Sequence, residues 1–398
     1  MPEKLFSFIR AHQADVLEFL FLAAGLMGVL SQALHHADPG AEMMSLADNV
    51  AKHGTLANPF SLLATGPTAV VPPLYPIILA GLGRVYFLVV LGAILANAAT
   101  ALLLPLVSGV FYGDIIPGVI ASLLWILTMQ SLPGWDTNYT VAGLLLFLFI
   151  TATPGKMPVT AGIIAGLLFL LNPSTLLIVL PWLTFRYTRH CLIIVAILGI
   201  FIMGWTARNR YQLGAFVVRT NLGMTLYASN NDCAESSMFR DELYGCYQAH
   251  HPNGNIAEAE LVRRQGEVAY DRQRISDSGK WAQMHPARFA KLTMARALQF
   301  WFPATESVPA SKIYPDFMRQ WVRQQNWIAY AIWLVTGLSI PGIILMARRR
   351  EALTGFVASV LAIYPLLYYV VVSDMRYRYP ILFLSLLPAG YFIRCFRG

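Results

Sequence analysis

The apolar positions of this chain fall into long unbroken runs, without the 3.6- or 2-residue alternation that marks a half-buried helix or strand. Runs near the roughly 20 residues a spanning helix needs occupy 16–33, 86–107, 115–132, 139–153, 191–207, 327–347, 353–372 and 381–394. Another apolar stretch, 159–183, is interrupted by Asn172-Pro173. Proline removes a backbone donor and restricts the residue before it, so this stretch is either one long helix or two short ones returning to the same side. Lys156 before it and Arg186 and Arg189 after it favour the pair, because cytoplasmic loops collect Lys and Arg. The pattern predicts about ten membrane helices.

Three polar segments remain: 34–84, a short turn around Trp135-Asp136, and 208–325. Lys4, Arg10, Lys156, Arg186, Arg189, Arg348 to Arg350, Arg394 and Arg397 can all be placed on one face, which puts both ends in the cytoplasm and the three polar segments outside. The first run lacks a small-residue cleavage site and is expected to be retained. The chain divides into an N-terminal membrane bundle (1–207, with a first external loop at 34–84), an external domain (208–325) and C-terminal membrane helices (326–398).

Composition agrees. Of 398 residues, 57% are hydrophobic and 13% charged, against about 25% charged in soluble domains. An all-α polytopic membrane protein with a small external α-rich domain is expected. The formal charge of +8 is absorbed by topology, so no nucleic-acid partner is called for.

In the first loop, apolar residues recur at helical spacing over 43–52 before Gly54 offers a stop. A helix lying flat on the membrane is the expectation. Pro72-Pro73 then opens a second short helix, 74–82, and makes the loop a folded cap. The second polar segment carries the turn signals Asn230-Asn231-Asp232 and His251-Pro252-Asn253-Gly254, a helical run at 256–278 and another at 285–300. Cys233 and Cys246 lie there, where an oxidising compartment would pair them. Cys191 and Cys395 fall at cytoplasmic helix ends and are read as free.

Several residues could carry chemistry. Asp38 and Glu42 place carboxylates at the membrane surface. Asp136 is either a helix N-cap or a functional acid. His35 and His36 beside Glu42 do not make a metal site, because adjacent histidines point apart and no third ligand is fixed. Arg376 and Arg378, interleaved with Tyr377 and Tyr379, could be an interfacial anchor. Two arginines on the external face run against the positive-inside tendency, which favours phosphate binding. Arg208 and Arg210 are secondary candidates. Asn138-Tyr139-Thr140 spells a glycosylation acceptor and is read as a chance match.

Asp38 through Ala47, Asn49, His53-Gly54 and Pro72-Pro73-Leu74-Tyr75-Pro76 together resemble the first external loop of bacterial GT-C-type glycosyltransferases. Those enzymes are related to dolichyl-phosphate-mannose protein mannosyltransferases and to lipid A aminoarabinose transferases. Similar stretches follow in order. They are Trp205-Thr206-Ala207-Arg208-Asn209, Asn221-Leu222-Gly223, Tyr227 to Asn231, His285 to Phe289 with Arg296 and Phe300-Trp301, and Arg376-Tyr377-Arg378-Tyr379-Pro380. The resemblance implies a GT-C-like fold and inverting transfer of a sugar from a polyprenyl-phosphate donor. The acceptor would be a protein, glycolipid or polysaccharide, and the active site would face the periplasm from a bacterial inner membrane among membrane lipids. Asp38 would be the base, with Glu42 its rival, and Asp136 a second acid. Arg376, Arg378, Arg208 and Tyr377 would hold the donor phosphate, and Tyr75 and Pro73 would line the donor and acceptor cavity. No cofactor and no metal are implied. A lipid-linked sugar flippase or transporter is the first rival, weakened by the lack of repeated halves. A non-catalytic membrane scaffold is the second.

Overall fold

The computed structural model describes residues 2–34, 40–83, 85–128, 135–153, 157–186, 188–308 and 316–396, and among them it contains helices and no strand. Two helices, α1 (Pro2–Ala11) and α2 (Gln13–Leu34), precede the first polar segment, which holds α3 (Ala41–His53) and α4 (Leu74–Gly81). The bundle follows with α5 (Tyr86–Tyr112), α6 (Ile116–Thr128), α7 (Asp136–Ala152), α8 (Pro158–Leu171), α9 (Leu176–Phe185) and α10 (Arg189–Leu213). The second polar segment folds as α11 (Leu222–Ser229), α12 (Met238–Leu243), α13 (Cys246–His250), α14 (Ile256–Gln265), α15 (Glu267–Met284) and α16 (Pro286–Trp301). The chain returns through α17 (Asp316–Arg348), α18 (Thr354–Ile363), α19 (Leu366–Tyr369) and α20 (Tyr379–Phe396).

Among the described residues, five helices are long and apolar enough to cross a membrane: Gln13–Ser31, Tyr86–Tyr112, His190–Leu213, Met318–Arg348 and Tyr379–Phe396. This is a membrane protein. The other runs form shorter apolar helices of 10–17 residues, so the expected count of about ten holds as apolar helices and only half reach spanning length. The stretch around Asn172-Pro173 is two helices, α8 and α9, separated by a 3₁₀ turn at Pro173–Thr175.

The spanning helices differ in what surrounds them. α2, α10 and α17 expose Phe19, Leu22, Ile200, Met203, Trp327 and Leu334, as lipid-facing helices do. α20 is buried continuously from Tyr379 to Tyr391 and packs against α6, α7 and α17. Glycine permits those close crossings. A Cβ at Gly390 would strike the Pro117 carbonyl, and one at Gly342 the Pro388 carbonyl.

Two expectations are corrected. α3 stops at Gly54, whose left-handed backbone (φ 67°) satisfies the Val50 carbonyl, but its apolar face does not lie on lipid. Met43, Leu46 and Ala47 are buried against Phe60, Val70, Leu79, Met224 and Val262, because the second polar segment offers a protein surface that covers them. The helical run at 256–278 is two helices, broken at Gly266, whose φ of 82° no helix accommodates. α10 continues past 207 to Leu213, and α17 begins at Asp316, ahead of 326. Cys233 and Cys246 are joined by a disulfide (S–S 2.09 Å), while Cys191 and Cys395 are free.

Candidate functional site

A cavity of about 680 Å³ lies where the two polar segments meet the ends of the bundle helices. Its wall brings together Glu42, Asp136, Arg219, His251 and Arg376, with Trp135, Tyr247, Tyr368 and Tyr377. Val70, Val71, Leu176, Leu177 and Val371 supply apolar surface.

Each polar group is held by local structure. Glu42 sits in the first turn of α3, where the helix dipole favours an acid. Its Oε1 accepts from Asn253 Nδ2 at 2.7 Å and lies 3.7 Å from His251 Nε2. His251 Nδ1 accepts the Asn253 backbone N–H at 3.1 Å, so the neutral ring carries its proton on Nε2, toward Glu42. Burial lowers the His251 pKa against the pull of Glu42 and Glu258. The ring stacks on Tyr247 at 4.8 Å. Burial, reinforced by Glu42, raises the Tyr247 phenol well above its ordinary value and keeps it a neutral hydroxyl.

Asp136 opens α7 and is 8% exposed. The N-cap of α7 is Trp135, which makes no side-chain cap hydrogen bond, so Asp136 is the first helical residue and not the cap the sequence offered. Arg219 and Arg376 are the cations that act on its carboxylate. Arg219 spends Nε and Nη2 on the Val70 carbonyl at 3.1 and 3.0 Å, and no described protein group accepts from its Nη1. Burial lowers its pKa, with Tyr368 and Asp136 opposing. Arg376 lies over Trp135 at 4.3 Å from the ring centroid. Its Nε is 3.1 Å from Asp374 Oδ2, close enough for an ion pair but not aligned as a hydrogen bond. Burial works against its charge, and Asp374 and Tyr377 more than restore it, leaving the pKa above the ordinary value.

The other arginines do structural work. Arg208 donates to the carbonyls of Thr68 (2.7 Å) and Leu56 (2.9 Å), while Glu267 accepts the Ala69 N–H at 2.7 Å and the Thr220 hydroxyl. Together with Arg219 they fasten the 68–70 stretch that forms one cavity wall. Arg210 donates to the Gly214 carbonyl on its own helix end. Arg378 is 1% exposed and donates to the carbonyls of Trp301 (2.5 Å) and Phe300 (3.4 Å), outside the cavity lining. Tyr75 is fully buried in the core beneath α3. Pro73 caps α4, and its neighbour Pro72 is the residue that reaches the cavity. Asp38, His35 and His36 lie outside the described residues. Cys233, Cys246 and His250 cluster closely, but the disulfide occupies both sulfurs.

The sequence reading missed Arg219, His251, Tyr247, Tyr368 and Asn172. For Arg219 the signal existed, since it is another external arginine and the argument used for Arg376 applies to it. Asn172 is visible in the sequence only as a helix break, and Tyr368 only as part of an apolar run, while a histidine and a tyrosine in a polar segment, as His251 and Tyr247 are, stay unremarkable until the fold turns them inward.

No protein-family model matches the chain, and no curated protein matches it in sequence. In structure it is similar to the apo oligosaccharyltransferase of Archaeoglobus fulgidus. The TM-score is 0.51 at 12% identity, over 98% of this chain and 51% of that one. The same organism's AglB oligosaccharyltransferase, in complex with an inhibitory peptide and a dolichol-phosphate, gives 0.49 at 12% identity over 97% and 50%. The chain thus spans about half the length of these enzymes. What is shared is the fold, a polytopic helical architecture.

Proposed function

We propose that this protein is an inverting glycosyltransferase that moves a sugar from a polyprenyl-phosphate donor to an acceptor on the external, periplasmic side of a bacterial inner membrane. The observation that supports it best is the meeting of Glu42 and Asp136 with Arg219 and Arg376 in one cavity. Acids and guanidiniums in one site are what displacement of a phosphate requires. The acceptor hydroxyl attacks the anomeric carbon from the face opposite the phosphate and loses its proton to a carboxylate of the first loop, Asp38 or Glu42. The bond from that carbon to the phosphate oxygen breaks with its electron pair, and polyprenyl phosphate leaves with inversion at carbon. Arg219, held on the Val70 carbonyl, and Arg376, paired with Asp374, receive the developing negative charge, and Asp136 acts on both through its charge. The fold shared with half of an archaeal oligosaccharyltransferase is compatible with this chemistry. The acceptor class, whether glycolipid, polysaccharide or protein, follows from none of these residues.

The test is transfer of radiolabelled sugar from a panel of purified polyprenyl-phosphate sugars into a membrane extract. Wild type is expected to transfer from at least one donor. Asp38→Asn or Glu42→Gln, whichever removes the base, should cost about 10²- to 10⁴-fold. Arg376→Gln should slow transfer while the protein keeps its Tm. No transfer from any donor by folded wild type would refute the reading.

A further inference from the structure

Between α8 and α9 the backbone leaves the helix at Asn172, within the cavity wall. Irregular backbone at such a depth is tolerated where it lines a cavity, and here it presents a side chain whose orientation is dictated. The Ser174 backbone N–H needs an acceptor and finds Asn172 Oδ1 at 3.2 Å, and the Ser174 hydroxyl approaches the same oxygen at 2.8 Å. That assigns the amide, since only the oxygen can accept both. Its Nδ2 has no protein acceptor among the described residues.

Proton order along the neighbouring hydroxyls follows. Ser174 has one hydrogen, given to Asn172, so in its contact with Tyr364 (3.3 Å) the Tyr364 hydroxyl must donate. Tyr364 has then spent its hydrogen, so in the next contact, also 3.3 Å, Tyr368 must donate. Tyr368 Oη is left with acceptor capacity only. Both Asn172 and Tyr368 line the cavity, and Tyr368 stacks on Tyr377 at 4.7 Å. At this point of the wall Asn172 therefore offers a neutral donor and Tyr368 a neutral acceptor, beside the aromatic face of Tyr377. A phosphate oxygen needs donors alone. A hydroxyl both donates and accepts.

We infer that Asn172 and Tyr368 recognise a hydroxyl of the transferred sugar and determine which donor the protein uses. This rests on the transfer reading above. The experiment measures Kd, by quenching of tryptophan fluorescence in detergent, for sugar-free decaprenyl phosphate and for decaprenyl-phosphate sugars. Asn172→Ser keeps an oxygen for the Ser174 N–H and removes the amide donor; Tyr368→Phe removes the acceptor. Each is expected to weaken the best sugar-bearing lipid about tenfold, the scale of one hydrogen bond, and to leave sugar-free decaprenyl phosphate within about twofold. Equal weakening of both lipids, or no change in either, overturns the inference and leaves the transfer reading standing. Wild type that binds no decaprenyl-phosphate lipid refutes the transfer reading and this inference together.

Discussion

Arg376 and Arg378 are two residues apart and chemically identical, yet one faces the cavity and the other does not. Arg376 keeps its charge beside Asp374 and lies over Trp135. Arg378 is sealed against Trp301 and satisfies backbone carbonyls at the end of α16. Arg378→Ala is expected to lower stability by about 2 kcal/mol or more, because buried carbonyls lose their donor. A thermal melt checks this, and an unchanged Tm would mean the carbonyls find other donors. His251 gives a pH dependence. Its native pKa lies below the ordinary histidine value, so as pH falls under about 6.5 the unfolded chain takes up a proton that the native state refuses, and stability falls. Tm should drop between about pH 7.5 and about pH 5.5, and His251→Gln should flatten the slope. Parallel slopes would remove His251 as the source.

Elements are positioned by close contacts that hydropathy does not register. At the crossing of α6 and α20, a side chain at Gly390 would meet backbone atoms of Pro117 and Ala121, which cannot give way as a side-chain tip can. Gly390→Val is expected to cost about 1–3 kcal/mol. Gly337, in α17, has open space around its Cβ position, so Gly337→Ala should be neutral or stabilising by up to about 1 kcal/mol. Equal effects in the two melts would contradict the packing account. α13 illustrates a covalent constraint. It begins at Cys246, and the disulfide ties it to Cys233 across 13 residues, fixing the short helix that carries Tyr247 and leads to His251. Reduction should lower stability by about 3 kcal/mol by freeing a loop of that size in the unfolded chain, and binding of decaprenyl phosphate should weaken with it.

At the scale of the molecule, the cavity depends on five separate parts of the chain closing on one another, and the orientation of the chain in the membrane decides which compartment it faces. Lys280 is exposed on α15, and Arg349 lies at the other end of α17 from that domain. In a Cys395→Ala background, Lys280→Cys is expected to react with an impermeant maleimide in intact cells whose outer envelope has been removed, and Arg349→Cys only after lysis. The opposite pattern would invert the topology.

Much of the element layout is present in the chain itself. Apolar runs of spanning length require helices, since a bilayer leaves backbone groups no other partner. Gly54 and the Asn172-Pro173 pair mark a helix end and a helix break through backbone geometry, and two cysteines in the second polar segment announce their bond. Those signals are local, set by a residue and its immediate neighbours. What surrounds a helix is not. α2 and α20 are both apolar runs, and only the assembled bundle makes one lipid-facing and the other its centre. The cavity is decided the same way. Glu42 meets Asn253 and His251, and Arg219 meets Val70, through contacts between distant parts of the chain whose formation depends on packing that no short stretch of sequence encodes.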